Sequence, residues 1–478
     1  MRRRILRRSF VPRKLDFDAW AYNIDWPQEK EVLPLFEHCS VYVEDIKFAI
    51  NAWMLLRLCM FYGTEHPVVL SHLTNVTPSM DIAQRGNRLF FMHCGVGNDT
   101  IDPQRLSVAL TPSHPNAQSI HAFDWGAAMR AKERGIALVL GMENGMSDTL
   151  VSRCDRHVFI PQYGSIGSLS MLNALSIAVH AAHTALRVHG GQWRCRSRCY
   201  GHQPGSHSRG MKSALPHETS LIHLSNDEVR RVLDSRRRSY PLQLALMVRN
   251  ELADRNIGAA LRNANIYNCE VFAVLNRKKF NRRGSVGTHH YTPTLYSEDV
   301  AEAFIQAPFL HDYEFWVVHQ THPFLVNYYR TSKLPVVRTK RGWVEDVATY
   351  IRPDDKDLIT WGQKPQVDDS HPIAVEKTRC LSSAPVYFDD PVSVLTAVKN
   401  AILERRRGIA LLFPEDGATE HPELVRLGHR FAYVVHPTRL AATQRGIPMA
   451  MASAVALERL RWAIDSVADE ASGRGEIA

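Results

Sequence analysis

Blocks of apolar residues alternate along this chain with polar turns, and two of those blocks nearly repeat one another. They are "GIALVLGMENG" (Gly135–Gly145) and "GIALLFPEDG" (Gly408–Gly417). Each is an aliphatic run without polar alternation, the pattern of a strand buried on both faces, and each ends in an acidic turn that contains glycine. After each turn come a short helical pattern, a second strand ("HVFIP" at 157–161, "AYVVHP" at 432–437), a loop, and a helix of small and aliphatic residues. Upstream, "INAWMLLRLCMFYG" (Ile50–Gly63) and "RNIGAALRNANIYN" (Arg255–Asn268) each set an Asn six residues before an Arg on an apolar, helix-length segment. The same features recur in the same order, so the pattern predicts a tandem duplication. Strands alternating with helices predict an α/β fold with mainly parallel sheets, whose ligands bind beyond the carboxyl ends of strands. Glu143 and Glu415 stand there.

The segment Val158–Leu186 carries no Asp, Glu, Lys or Arg and is long enough to cross a bilayer. A spanning helix needs about 20 mostly apolar residues. Here Pro161, Gln162, Gly164, Ser165, Gly167 and Ser168 interrupt the first half. The better reading is a glycine loop, "IPQYGSIGS", whose backbone can approach a ligand where a Cβ would obstruct. The following "SMLNALSIAVHAAHTAL" is small or aliphatic on every side, which suits a helix buried against another helix. Taken alone the loop could equally be a structural turn. Paired with "LGMENG" it offers two backbone-lined walls of one pocket.

These patterns divide the chain into a basic arm (1–30), a first domain (31–190), a basic linker (191–240) and a second domain (241–470), followed by a short tail (471–478). The linker is rich in Gly, Ser, His and Arg without hydrophobic period. A polar stretch at about 331–390 reads as an insertion in the second domain.

The formal charge is +9 over 478 residues, which favours a polyanionic partner. "NRKKFNRRGSVGTHHYTP" concentrates Lys278, Lys279, Arg282 and Arg283 around Phe280, with His289, His290 and Tyr291 after them. Cations neutralise phosphates while rings stack on unpaired bases, so this is a candidate RNA-binding segment; a solvated loop is the alternative. The arm "MRRRILRRSFVPRK" has seven basic residues before the first acid, Asp16. It reads as a mitochondrial transit peptide, or else as an arm that lies along nucleic acid. The eight cysteines are scattered and imply a reducing compartment rather than a disulfide framework. Cys195, Cys199, His202 and His207 lack the short fixed pairs of a structural zinc site, so no metal is expected. Cys154 and Cys269 read as buried apolar-type side chains.

The motifs resemble those of the SpoU/TrmH branch of the SPOUT RNA methyltransferases. The first family motif, Asn then Arg six positions on, is matched by Asn51 and Arg57 with Gly63, and by Asn256, Gly258 and Arg262, with Asn268 in place of the last Gly. Trp53 stands where a Gly is usual. The second motif is matched by "LVLGMENG" and more loosely by "LLFPEDG", where Pro414 replaces Gly. The third is matched by "IPQYGSIGSLS", which keeps Ser168 and Leu169 but has Ser170 for Asn; the second copy has Gly446 and Pro448 at the Ser and Asn positions.

The resemblance implies a knotted α/β domain that binds S-adenosylmethionine and works as a dimer, here with both halves fused into an intramolecular pseudo-dimer. It implies a cofactor pocket of Gly141, Glu143, Ile160, Gly164, Ser168 and Leu169. It also implies catalytic roles for Arg262, Asn256, Glu143 and Ser168, with Arg57 and Asn51 as their counterparts in the first copy. In the family the first-motif Arg acts on cofactor held by the opposite protomer, so Arg262 is expected to serve the first-copy pocket, giving one composite site per chain. The implied reaction is methyl transfer to a ribose 2′-hydroxyl, with Arg262 as a cationic clamp rather than a base, since a guanidinium holds its proton. Ribosomal RNA in the mitochondrial matrix is the expected substrate. Ribosomal proteins, assembly factors or a second SpoU-like chain are candidate partners, and no membrane is expected. The alternative is a catalytically degenerate RNA-binding factor in assembly of the large ribosomal subunit.

Overall fold

The computed structural model describes residues 35, 38–46, 49–65, 67–70, 93–94, 101–142, 145–165, 169–187, 221, 224–250, 256–276, 279–319, 384–414, 424, 427–435 and 447–471. The N-terminal half holds β1 (Cys39–Val43), β2 (Val68–Val69), β3 (His93–Cys94), β4 (Leu106–Leu110), β5 (Gln118–Ser119), β6 (Ile136–Leu140) and β7 (Arg156–Phe159). Its helices are α1 (Ala49–Tyr62), α2 (Trp125–Arg130), α3 (Asp148–Ser152) and α4 (Met171–Arg187).

The C-terminal half opens with α5 (Asn226–Arg238), β8 (Gln243–Asn250), α6 (Asn256–Ile266), β9 (Val271–Asn276) and β10 (Thr294–Ser297). It continues through α7 (Val300–Gln306), β11 (Tyr313–His319), β12 (Val386–Tyr387) and α8 (Pro391–Leu403). It ends with β13 (Gly408–Phe413), β14 (Arg430–Tyr433) and α9 (Met449–Ala471).

The fold is α/β with two parallel seven-stranded sheets. Their orders are β3-β2-β1-β6-β4-β7-β5 and β10-β9-β8-β13-β11-β14-β12, the same order once the second set is renumbered from one. The two aliphatic runs that nearly repeat in the sequence are β6 and β13. Each lies between two parallel neighbours, β1 and β4 or β8 and β11, and every residue in both is buried. Strands covered on both faces need no polar alternation, which is why they lack it.

The two first-motif helices end alike. Gly63 (φ +66°) and Asn268 (φ +49°) both take the left-handed conformation just beyond α1 and α6. There the Thr64 N–H reaches the Cys59 carbonyl at 3.0 Å and the Cys269 N–H reaches the Ala264 carbonyl at 2.8 Å. Asn is the non-glycine residue that tolerates this turn best, and its side chain is used as well, donating to the Leu233 carbonyl at 2.9 Å.

One apolar core runs through both halves, joining Leu175, Ile177 and Val179 of α4 to Val455, Leu457 and Leu460 of α9. The described residues of the uncharged segment 158–186 are therefore buried or half-buried inside the protein, and no described helix is long and apolar enough to cross a membrane. Cys154 and Cys269 are buried thiols.

Two elements stand where the sequence reading placed irregular chain. Helix α5 lies within the stretch read as linker; Ser225 and Glu228 form its capping box and Val229, Leu233 and Arg237 its buried stripe. That stripe contains a guanidinium, which donates to the Cys269 carbonyl at 2.8 Å, so a hydrophobic count misses it. Strand β12 lies within the upper end of the stretch read as insertion, pairing with β14. The basic arm, residues 191–220, 320–383 and the tail beyond Ala471 lie outside the described residues.

Candidate functional site

Strand β4 lies between β6 and β7, and its pairing sets Ala109 opposite both Val139 and His157. Gly141, Thr111 and Ile160 therefore leave three adjacent strands at their carboxyl ends. This is where a parallel sheet holds ligands.

After β6 the chain folds back sharply: the Met142 N–H donates to the Gly145 carbonyl at 2.9 Å and the Gly145 N–H to the Met142 carbonyl at 3.0 Å. A Cβ on Gly141 would overlap Gly145 and the Met146 nitrogen, so only glycine permits this turn. Ile160 is buried and Leu169 packs on the core from its edge. Glu143, Glu415, Ser168 and Lys278 lie outside the described residues.

After β7, residues Tyr163–Ser165 turn onto the C-terminal half. The Tyr163 N–H donates to the Ile266 carbonyl at 2.7 Å. Gly164 lies so close to Asn265 that a Cβ would overlap its carbonyl. The Ser165 hydroxyl donates to Asn265 Oδ1 at 3.0 Å. The loop of one half thus sits on the end of the first-motif helix of the other. Arg262 lies one turn earlier on that helix, partly buried, and burial pushes its guanidinium down to about 10. That is still well above neutral pH, so the group stays a cation. Asn256 opens the same helix, partly buried.

Asn51 and Arg57 are on α1, which packs on α4. The equivalent strand ends in the C-terminal half, Phe413 of β13 and Tyr433 of β14, are followed after Pro414 and Val435 by residues 415–423 and 436–446, which lie outside the described residues.

The basic segment packs against helix α6. A Cβ on Gly258 would come within 2.6 Å of the Asn281 carbonyl, so this glycine lets the turn at Arg282–Ser285 pack against the helix. Asn265 Nδ2 donates to Thr292 Oγ1 at 3.1 Å from the following turn. Lys279, Arg282, Arg283 and His290 are exposed, and His289 is half-buried. Partial burial, then the neighbouring His290 and Arg282, hold His289 below its ordinary range, so its neutral ring offers stacking more than charge. Phe280 stacks on Tyr296 at 6.4 Å between centroids, which braces the segment.

Sequence reasoning missed Asn263, Tyr163, Arg461 and Asp465. Asn173 Nδ2 donates to Asn263 Oδ1 at 2.7 Å, and Asn263 Nδ2 donates to the Ala450 carbonyl at 2.7 Å and to Ser453 at 3.0 Å. One amide thereby ties α4, α6 and α9. Its only signal was an Asn inside an apolar helix pattern. Among the described residues no group of His, Cys, Asp or Glu could hold a metal ion.

Residues 38–180 match the model of the SpoU rRNA Methylase family. No curated protein matches the chain. Among solved structures, a TrmH/SpoU tRNA modifying enzyme from A. aeolicus is 20% identical, covering 35% of this chain and 84% of that one, with a TM-score of 0.28. A probable methyltransferase from Bordetella pertussis Tohama I is 11% identical, covering 47% of this chain and 97% of that one, with a TM-score of 0.27. The SpoU methyltransferase AviRb from Streptomyces viridochromogenes, in complex with the cofactor AdoMet, is 18% identical, covering 32% of this chain and 62% of that one, with a TM-score of 0.24. It is to the SpoU rRNA Methylase family that residues 38–180 of this chain are similar.

Proposed function

We propose that the chain is an S-adenosylmethionine-dependent RNA methyltransferase of SpoU type, acting on a ribose 2′-hydroxyl through one composite site. The observation that carries this reading is the seating of Tyr163–Ser165 on the Asn265–Ile266 end of α6. It sets the strand ends of the family domain against the helix that bears Arg262. We read the two halves as tandem knotted copies forming a pseudo-dimer; the shared strand order supports this.

The residues suit the cofactor. Three strand ends offer backbone polar groups beside the buried Ile160, and glycine at 141 lets the backbone turn back without a Cβ in the way. Gly141, Ile160, Gly164 and Leu169 would hold it, with Glu143 and Ser168 completing the pocket by family resemblance. When bound, S-adenosylmethionine supplies a methyl group on a sulfonium. Arg262 stays protonated and clamps a backbone phosphate of the RNA, fixing the ribose hydroxyl and stabilising negative charge that develops on its oxygen. Asn256 supports this ribose, while Asn51 and Arg57 are relics of the second site, whose wall Pro414 stiffens. Lys279, Arg282 and Arg283 take further phosphates, and His289 and His290 present rings to unpaired bases.

Ribosomal RNA of the mitochondrial matrix is the proposed substrate, on the strength of the basic N-terminal arm and the family. The test is incubation of the purified chain with ribosomal RNA transcripts and methyl-labelled S-adenosylmethionine, followed by nucleoside mass spectrometry. A 2′-O-methylated nucleoside is expected, and a methylated base would overturn the 2′-hydroxyl assignment.

A second reading has its own observation. Asn173 is the nearest candidate to replace the Asn lost at Ser170, yet its side chain is already bonded to Asn263 at 2.7 Å. That favours a retired enzyme that keeps its RNA surface as an assembly factor beside ribosomal proteins. Cross-linking to ribosomal RNA without any heat of cofactor binding is its expected signature.

A further inference from the structure

Helix α9 is apolar along most of its length but buries Glu458, Arg459, Arg461 and Asp465. Burying an ion is costly and seldom adds stability over an apolar side chain of the same shape. The last two of these groups close around one residue of the opposite half, Tyr163, which is 2% exposed. The Tyr163 hydroxyl donates to Asp465 Oδ2 at 3.0 Å. The Arg461 guanidinium lies 5.3 Å from the centre of the Tyr163 ring and 4.1 Å from that of Tyr240. Its Nη2 donates to the Tyr267 carbonyl at 2.7 Å, just past the end of α6. Arg461 Nε and Nη1 have no hydrogen-bond partner among the described residues and lie among ring faces instead. Tyr267 completes the socket at 6.3 Å from Tyr163, ring centre to ring centre.

We infer that Tyr163, Arg461 and Asp465 form a positioning clamp by which the last helix of the chain presets the 160–165 loop of the family domain. Tyr163 enters the socket as a plug, and Gly164 and Ser165 follow it onto Asn265. The same guanidinium holds the carbonyl that ends α6, so loop and Arg262 helix are referred to one fixed group. The clamp builds on the methyl-donor reading of the loop, but its mechanical part is independent of any ligand. Tyr163 is a positioning residue, acting through its neighbours.

The test compares the full-length chain with Tyr163→Phe and Asp465→Asn by amide hydrogen exchange and by calorimetry with S-adenosylmethionine. Losing a buried bond to a carboxylate should speed exchange at Tyr163, Gly164 and Ser165 roughly tenfold and weaken cofactor binding by a similar factor. Amides of β6 and β13 should keep their rates. Loop rates that stay unchanged, or that rise only in step with those strands, overturn the clamp. If the unmutated chain gives no heat with the cofactor, the methyl-donor reading falls, and the exchange pattern still decides the clamp. Arg461→Lys, which keeps the charge but not the planar stack, should lie with the two variants and not with the parent.

Discussion

Asn173 of α4 and Asn263 of α6 share a 2.7 Å hydrogen bond at the seam between the two halves, each almost wholly removed from water. Asn263 spends its own amide hydrogens on the Ala450 carbonyl and the Ser453 hydroxyl of α9. Both ends of one side chain are used, and three helices meet at it.

Asn263→Ala strips that node and leaves buried polar groups unpaired, which should cost about 2–4 kcal/mol. Denaturant unfolding checks it. Asn173→Leu together with Asn263→Leu should recover part of the loss, because fewer orphaned partners remain.

Arg262→Lys keeps a cation on α6 but removes the planar fork. Methyl transfer should fall by about 100-fold if the guanidinium clamps a phosphate, while cofactor affinity measured by calorimetry stays near that of the parent. Equal loss of both would place Arg262 in the cofactor wall instead.

Exposed Lys279, Arg282 and Arg283 can be removed with little effect on folding. Replacing all three by Ala should weaken RNA binding and flatten its dependence on salt, by about 0.7 in log–log slope for each phosphate no longer neutralised. Filter binding across a salt series reads the slope, and an unchanged slope would return the segment to a solvated loop.

Acid should loosen the seam. Tyr62 faces His180 Nδ1 at 3.1 Å, and His180 Nε2 lies 2.9 Å from the Phe388 carbonyl. A carbonyl can only accept, so Nε2 carries the proton and Nδ1 accepts from the tyrosine hydroxyl. Burial, then Arg459, pushes this imidazole down to about 3. The unfolded chain takes up the proton near 6.5 and the folded chain does not, so stability is full above that pH. It is lost as pH falls from about 6.5 toward 3, by on the order of 1 kcal/mol per pH unit. His121 is lowered too, by burial and then Arg459, and adds to the same window. Melting temperature against pH should slope less steeply in His180→Gln, though from a lower plateau.

Much of this is legible in the sequence. Strands β6 and β13 announce themselves because residues buried on both faces can be aliphatic throughout. The two first-motif helices announce themselves through a shared spacing, down to the Gly63 and Asn268 that end them. Helix α5 did not, since its buried stripe includes Arg237 and its composition matches that of a basic linker. The polar groups of α9 were equally mute, because Arg461 and Asp465 interrupt an apolar period in the way surface residues do.

The sequence by itself determined the α/β class, the repeated order of elements, the strand ends that hold glycine, and the helix that carries Arg262. Periodicity records which face of an element leaves water; it does not record what covers that face. Only the tertiary structure decided that α4 is covered by α9 across the seam, that Asn173 is spent on Asn263, and that Tyr163 bonds to Asp465, 302 residues further along the chain. Those pairings depend on close packing of two whole halves, a property no local window of sequence contains.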